Sequence, residues 1–483
     1  MYSSSLRWPC REDKAAPQSG SDVSGVLAYL LQLCVLCIYL VQPALGAWYS
    51  ADATVLNHGI VCHKMDQEVQ LGRLCTVEQV VYQERLQTPD NRHMLGSTGL
   101  LRLLAPSLPA ENNGCPTYDG INPCIINTTV RSVNFFGDFY IEPAPLQHLD
   151  MLCNGAQTLA TPTVFLVRDH NQISHLLTVQ LAPLIEAVKA VGWDEEPYQL
   201  VFMDRRSTHA AFGEEDDYFL PVFKHISRTT PVSIWNWPPV VCMAKALVGV
   251  GTDRMLLGHD KTKAFEWQSV EEVAFNRETI HDMRDKVLGA YDILYRAIRE
   301  RHGSVHKPRI TVVDRGPPPM SRRIVNQDDL LAAAQQVGHA QLIVLQKLSF
   351  QDQLKLMAVT DILIGTHGSG MAMMMFLPPC GVTVEIKAYR HGLTDDFTHG
   401  HCNLARAANR SLLVWHNKHL EHTQAWEGPD GGADYHWWKQ HHTFIPDAEI
   451  GAILDAAVQA WQTPIVERNF DAVQFLNTPE TES

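Results

Sequence analysis

Two Rossmann-like α/β lobes, set behind an N-terminal single-span anchor and a cysteine-containing stem, are the fold that the sequence predicts. Three observations carry that expectation. An uncharged apolar run lies near the N-terminus. A texture of short strand, helix and short strand begins near residue 160. The same texture restarts near residue 305. The chain has 483 residues, 45% of them hydrophobic and 19% charged, which is enough apolar material for two lobes. Its net charge of −14 disfavours a phosphate-tracking nucleic-acid binder, though a local basic pocket remains compatible with it.

The apolar run comes first in the chain. No charge occurs between Asp22 and Asp52, and Val26–Val41 reads VLAYLLQLCVLCIYLV. Extended to Ala47, the run reaches the roughly 20 residues that a bilayer requires. Arg7, Arg11 and Lys14 precede it, and in the next twenty or so residues only Lys64 is basic. That bias predicts a cytosolic N-terminus and a lumenal remainder, a single-pass type II membrane protein of the Golgi or endoplasmic reticulum. Ala44-Leu45-Gly46 also suits cleavage of a signal peptide, which leaves the rest of the chain lumenal too. The predicted organisation is a polar tail over 1–25, the span over 26–47, a stem and irregular subdomain over 48–155, and a first lobe over 156–304. A second lobe over 305–425 and a C-terminal segment over 426–483 complete it.

Eight of the 11 cysteines follow the span: Cys62, Cys75, Cys115, Cys124, Cys153, Cys242, Cys380 and Cys402. An even count in an oxidising compartment suits disulfides, with the connectivity open. No pair of CxxC motifs suggests zinc. Asn127-Thr128-Thr129 and Asn409-Arg410-Ser411 are glycosylation sequons, which fit the same compartment.

In the first lobe, Thr163–Arg168 and Gln199–Met203 read as buried strands, with helical periodicity over Ile173–Val191 between them. Glu271–Arg301 reads as a long polar helix. The second lobe predicts strands at Arg309–Val313, Gln341–Leu345, Asp361–Gly365 and Val382–Ile386. Helices are predicted at Asp328–Gln336, Phe350–Val359 and Ser369–Phe376, and Ala448–Trp461 forms a closing helix. In open α/β sheets ligands bind at the carboxyl ends of strands, and the candidate motifs fall there.

The sharpest motif is Asp361-Ile-Leu-Ile-Gly-Thr-His367-Gly368-Ser369-Gly370, a buried strand passing into a helix through small residues. Its backbone N–H groups suit an anion such as a diphosphate, and His367 is placed to donate to phosphate or sugar. A tight turn with a structural histidine is the competing reading. The loop Asp314-Arg315-Gly-Pro-Pro-Pro-Met-Ser-Arg322-Arg323-Ile-Val-Asn326 follows another strand end. Its guanidinium forks suit phosphate as well as solvent. Glu385, at a third strand end, suits a ribose diol or an edge salt bridge. In the first lobe Arg168-Asp169-His170-Asn171 leads to His175. That histidine is a candidate general base because its ordinary pKa of about 6.5 lies near working pH.

Other features carry less. Glu214–Asp217 reads as a solvated acidic face. His416, His419 and His422 lack a helical frame for a metal. Trp426, Trp437 and Trp438 suit rim packing or sugar stacking. Asp-x-Asp, a Walker loop, Gly-x-Ser-x-Gly and Gly-x-Gly-x-x-Gly are all absent from the sequence.

In their order along the chain these motifs resemble glycosyltransferase family 61, which includes plant xylosyltransferases and secretory-pathway O-linked N-acetylglucosamine transferases. The matching residues are Asn171…His175, Arg323-Ile-Val-Asn326, Leu348-Ser-Phe-Gln-Asp-Gln353, the His367-Gly-Ser-Gly370 cluster, Phe376-Leu-Pro-Pro and Glu385. The family's usual His-Gly-Ala-Gly reads His-Gly-Ser-Gly here. An Asp that many members carry four residues after the first-lobe histidine is Val179 here. The resemblance covers about 160–390 and implies a GT-B arrangement and an inverting transferase. It also implies a UDP-sugar donor of the xylose or N-acetylglucosamine class, a glycan or glycoprotein acceptor, and no metal cofactor.

On that implication Arg315, Arg323, Asn326, His367, Gly368, Ser369, Gly370 and Glu385 hold the donor. His175, Asp169 or Asp204 serves as base. A catalytically inactive lumenal glycan binder on the same fold is the alternative, motivated by Val179.

Overall fold

The structure is a computed structural model of the chain. It describes residues 53–57, 60–63, 74–83, 101–106, 126–132, 135–144, 146–166, 173–202, 219–250, 277–294, 307–316, 321–379, 381–389, 399–425, 441–464, 467–469 and 474–476. The expected tail and span, Asp169, Asn171, Asp204, the run 214–217, Trp426, Trp437 and Trp438 lie outside the described residues. Among the described residues no helix is long and apolar enough to cross a membrane.

The second lobe is built around a six-stranded sheet in which every pairing is parallel. Its spatial order is His339–Ile343, Arg309–Val313, Ile362–Thr366, Val382–Lys387, Ser411–His416, Gln474–Phe475. Strands 362–366 and 382–387 are buried at every position, as a sheet covered on both faces requires. Helices Gln327–Val337 and Asp447–Gln462 pack together on one face, over the core of Ile310, Val312, Ile364, Val384 and Leu413. Ser349 caps helix Phe350–Met357 by accepting the Asp352 N–H.

The expected strands recur with shifted ends. Gly338 ends the preceding helix in an extended conformation, so the next strand starts at His339. Leu345 already begins a 3-10 turn. The helix expected over Glu271–Arg301 spans Arg277–Ala290. It closes because Asp292 adopts φ +54° and the Ile293 N–H returns to the Leu288 carbonyl, a Schellman-type stop.

In the first lobe the parallel strands lie in the order Val232–Ser233, Gln199–Phe202, Thr163–Leu166, Val240–Val248, half of a doubly wound sheet. Here strand pairing crosses the expected boundary near 155. Strand Leu74–Gln83 runs antiparallel along Val240–Val248 and continues the same sheet into strands 101–106, 135–144 and 126–132. Cys153 and Cys242 form a disulfide, and Trp237 packs edge-on against both Tyr82 and Phe165. Strands 74–83, 101–106, 126–132 and 135–144 are therefore part of the first lobe's sheet. The pairing spans more than 150 residues of chain, so local periodicity does not reveal it.

The segment Ile173–Ala190 is helical as expected, but Leu176–Leu181 winds as a π-helix between two α-helical pieces. Its N-terminal turn packs against the second lobe's helix Ser369–Phe376. Phe219 of the first lobe meets Phe350 of the second at 4.7 Å, and one apolar cluster runs through both lobes.

Candidate functional site

The order of the second sheet places its topological switch point between strands Arg309–Val313 and Ile362–Thr366, from which the connections leave to opposite sides. The loops leaving their carboxyl ends are 314–323 and 367–368. They carry the two motifs with anion-binding chemistry. A groove of 570 Å³ lined by Arg309, Gln335, His339, Gln341 and Thr360 lies at the opposite, amino ends of these strands. There Asp361 accepts from the Arg309 backbone N–H at 3.0 Å, which fixes the strand ends.

At the switch point two arginines converge on one glycine. Arg322 has φ +60°, and its Nη1 donates to the His367 carbonyl at 3.2 Å. A Cβ built on Gly368 would stand 2.5 Å from Arg315 Nη1 and 3.7 Å from Arg322 Nη1. Only a residue without a side chain lets the guanidiniums approach the backbone so closely. Burial lowers the Arg315 pKa. Burial, with repulsion from Arg315 second, pushes Arg322 down to about 10. Both stay charged at neutral pH. Arg315 Nε is buried without a hydrogen-bond partner, and among the described residues no carboxylate pairs with Arg315. A desolvated guanidinium with an unpartnered Nε, as at Arg315, is unfavourable until an acceptor joins it.

Ser369–Phe376 begins beside these arginines. It is a 3-10 helix rather than the expected α-helix, with Met371–Phe376 wholly buried between the lobes. A segment apolar all round is buried all round, and the tighter i→i+3 winding fits it in place. The first N–H groups of such a helix, those of Ser369 and Gly370, have no intrahelical acceptor.

Behind His367 lies a buried charge network. Glu385, in the central strand Val382–Lys387, has no exposed surface. Its Oε1 is 2.5 Å from His367 Nδ1 and 2.8 Å from His401 Nδ1, while its Oε2 lies 4.0 Å from Lys387 Nζ. Burial alone would raise the Glu385 pKa, but Lys387, then His401 and His367, hold it well below the ordinary carboxylate value. Burial pushes His367 down to about 3 although Glu385 pulls the other way. Glu385 does not present its carboxylate to a ribose as expected, because it is sealed beneath two imidazoles.

His367, Glu385 and His401 also form a possible metal-ligand set, with their atoms within 4.8 Å of one another. The contacts fit protons better. Both imidazole nitrogens lie at hydrogen-bond distance from a single oxygen, and Lys387 already supplies the compensating positive charge. Metal ligands need separate approaches at about 2.0–2.2 Å to one ion.

The remaining expected residues are placed as follows. Arg322, not Arg323, is the arginine at Gly368. Arg323 instead donates its backbone N–H to His442 Nδ1 at 3.1 Å. Asn326 is a clamp: its Nδ2 donates to the Ile445 carbonyl at 2.7 Å, and its Oδ1 accepts the Ile445 N–H at 3.0 Å. Both amide ends are engaged with the Ile445 backbone, so it ties the start of helix Gln327–Val337 to residue 445. His175 ends the short helix Ile173–His175, whose backbone packs on 369–376. Asn127 lies in strand Ile126–Ser132. Asn409 follows helix His399–Ala407 at φ +54°, a position where asparagine is favoured for conformational reasons. Cys402 is buried and free, its thiol pushed by burial up to about 11, so the even cysteine count does not mean full pairing.

Sequence reasoning missed Lys387 and His401. Lys387 had a signal, because a Glu and a Lys two apart in a strand expected to be buried on both faces imply an internal ion pair.

Residues 165–384 match the family described as Glycosyltransferase 61. Among similar curated proteins is the EGF domain-specific O-linked N-acetylglucosamine transferase of Mus musculus, 36% identical over 84 residues, covering 17% of this chain and 16% of that protein. Its Drosophila melanogaster namesake is 33% identical over 116 residues, 23% of this chain and 21% of that protein. The Gallus gallus namesake is 33% identical over 84 residues, 17% and 15%. The aligned stretches thus span no more than about a fifth of these relatives. The family match takes in the first-lobe strand Thr163–Leu166 from Phe165, the arginine loop, and the His367–Gly370 turn. Over residues 165–384 the chain is similar to glycosyltransferase family 61.

Proposed function

We propose that the switch-point crevice binds the diphosphate of a UDP-sugar and that the chain transfers the sugar, with inversion and without a metal ion, to a glycan or glycoprotein hydroxyl. The observation that carries this reading is the convergence of buried Arg315 and Arg322 on Gly368 at the strand ends. Their two charges supply what a divalent ion supplies elsewhere, stabilising the negative charge that develops on the leaving diphosphate. The N–H groups of Ser369 and Gly370 add donors on the same side.

In a single displacement, a base takes the acceptor hydroxyl proton and the oxygen bonds to the anomeric carbon. The bond from that carbon to the phosphate oxygen breaks, and UDP leaves with the electron pair. His175, Asp169 and Asp204 are the candidate bases. The packing of helix Ile173–His175 on 369–376 favours His175. The relatives' names favour N-acetylglucosamine over xylose and a folded extracellular domain as acceptor. A lumenal, membrane-anchored location follows from the apolar run 26–47 and belongs to the same proposal.

The test is UDP release by the full chain from a panel of UDP-sugars, with EDTA, in the presence of EGF-like domains. Release from one sugar, unaffected by EDTA, is the expected result. Release abolished by EDTA and restored by a divalent ion would overturn the metal-free mechanism. UDP that raises the melting temperature without turnover on any acceptor would leave a glycan binder as the better reading.

A further inference from the structure

We propose that Lys387, Glu385 and His401 are positioning residues that hold His367 as the neutral imidazole protonated on Nδ1. Its Nε2 then meets the ligand as a hydrogen-bond acceptor for a hydroxyl and not as a donor to phosphate. The inference rests on the nucleotide-sugar reading above and assigns His367 its part in it.

The argument is one of donors and acceptors. An ionised carboxylate only accepts, so a nitrogen 2.5 Å from Glu385 Oε1 must carry the proton. The same holds for His401 Nδ1 at 2.8 Å. One oxygen has two lone pairs, and these two N–H groups fill both. Glu385 keeps its charge in a fully buried position because Lys387, also fully buried, lies 4.0 Å from its second oxygen. Residues 385 and 387 stand two apart in a strand and share a face, which is why the pair can form.

A neutral imidazole with its proton on Nδ1 carries a lone pair on Nε2. The His367 side chain is 14% exposed, whereas Glu385 beneath it is sealed. The charged and titratable groups around His367 include Glu385, Lys387, His401, Arg315 and Arg322, with the neutral Cys402 thiol beside Glu385. The arginines supply donors for phosphate oxygens, which only accept. The lone pair of His367 suits the one donor class that a nucleotide sugar carries in number, its ribose and sugar hydroxyls.

The test reads the tautomer directly, without ligand. Full-length chain labelled with 15N-histidine is examined by long-range proton–nitrogen correlation, with His367→Gln assigning the signal. The expected His367 pattern is a protonated Nδ1 and a lone-pair Nε2, unchanged between pH 7.5 and 5. A protonated Nε2, or full protonation with a midpoint near 6.5, would overturn the proposal. Lys387→Met should disturb the pattern. Because it strands a buried carboxylate, the double variant Lys387→Met/Glu385→Gln, which removes both charges, is measured beside it. A His367 pattern identical to wild type in the folded double variant would also overturn it.

On the ligand side, His367→Phe should weaken binding of UDP-N-acetylglucosamine about tenfold while inorganic pyrophosphate binds as before. Equal losses for both would overturn the division of labour. UDP compared with 2′-deoxy-UDP separates a ribose hydroxyl from a sugar hydroxyl. If the tautomer is as expected and no UDP species binds, the functional reading fails; if UDP binds and the tautomer is reversed, only this inference fails.

Discussion

Gly368→Ala probes the arginine cradle. The added Cβ would lie 2.5 Å from Arg315 Nη1, about 1 Å inside ordinary van der Waals contact. What it meets is the end of a flexible side chain that can swing aside, but Gly368 has φ +157°, a conformation that L residues rarely adopt, so folding should also lose about 1–3 kcal/mol. The displaced guanidinium should cost ligand affinity as well. A hydrogen bond between an arginine and a charged acceptor contributes ~1.5–3 kcal/mol, so UDP should bind roughly 10- to 150-fold more weakly. Isothermal titration of UDP into wild type, Gly368→Ala, Arg315→Ala and the double variant measures this. Since the alanine acts by displacing Arg315, the double variant should bind about as weakly as Arg315→Ala alone. Wild-type affinity in Gly368→Ala would refute the placement of the anion at this turn. Full additivity would refute the route through Arg315.

Three further outcomes follow from the geometry. Asn326→Leu removes both hydrogen bonds to Ile445 and leaves that backbone unpaired, so stability in urea should fall by about 2 kcal/mol with UDP affinity nearly unchanged. His367 and His281 are lowered on folding, to about 3 and about 4, mainly by burial. The unfolded chain therefore binds more protons below the ordinary histidine value, and the melting temperature should fall as pH drops below about 6.5. His281→Gln should make that fall shallower. The Cys153–Cys242 bond closes a loop with a sequence separation of 89, so replacing both by serine should cost up to ~4 kcal/mol, read as a lower melting temperature independent of reductant.

Four of the second sheet's six strands were legible, whereas Ser411–His416 and Gln474–Phe475 were not expected. A parallel strand covered on both faces is a continuous apolar run, and RITVV, DILIG and VTVEI are such runs. Their order in the sheet was not legible, because pairing is decided by the crossovers and not by the strands themselves. The same reason hid the join between strand Leu74–Gln83 and Val240–Val248. Among the candidate site residues, Arg315, His367 and Gly368 were singled out because small residues and a guanidinium stand at strand ends. The choice between Arg322 and Arg323 was not available to sequence reasoning. Adjacent side chains diverge, and only the left-handed turn at Arg322 decides which one reaches His367.

Glu385 shows how a correct location can hide a different role. A carboxylate at a strand end next to a glycine turn reads as a ligand contact, and the carbonyl end of VTVEI is indeed at the crevice. Yet the strand is central, with neighbours Ile362–Thr366 on one side and Ser411–His416 on the other, so position 385 lies inside the protein. A carboxylate there is costly unless neighbours compensate it. The three groups that do so, Lys387, His367 and His401, come from three different stretches of chain. Lys387 is sealed, whereas the His367 and His401 side chains keep 14% and 10% of their surface. On the reading proposed above, the buried charge acts at the crevice through His367, which it would fix in one protonation state while the neighbouring arginines would hold the diphosphate.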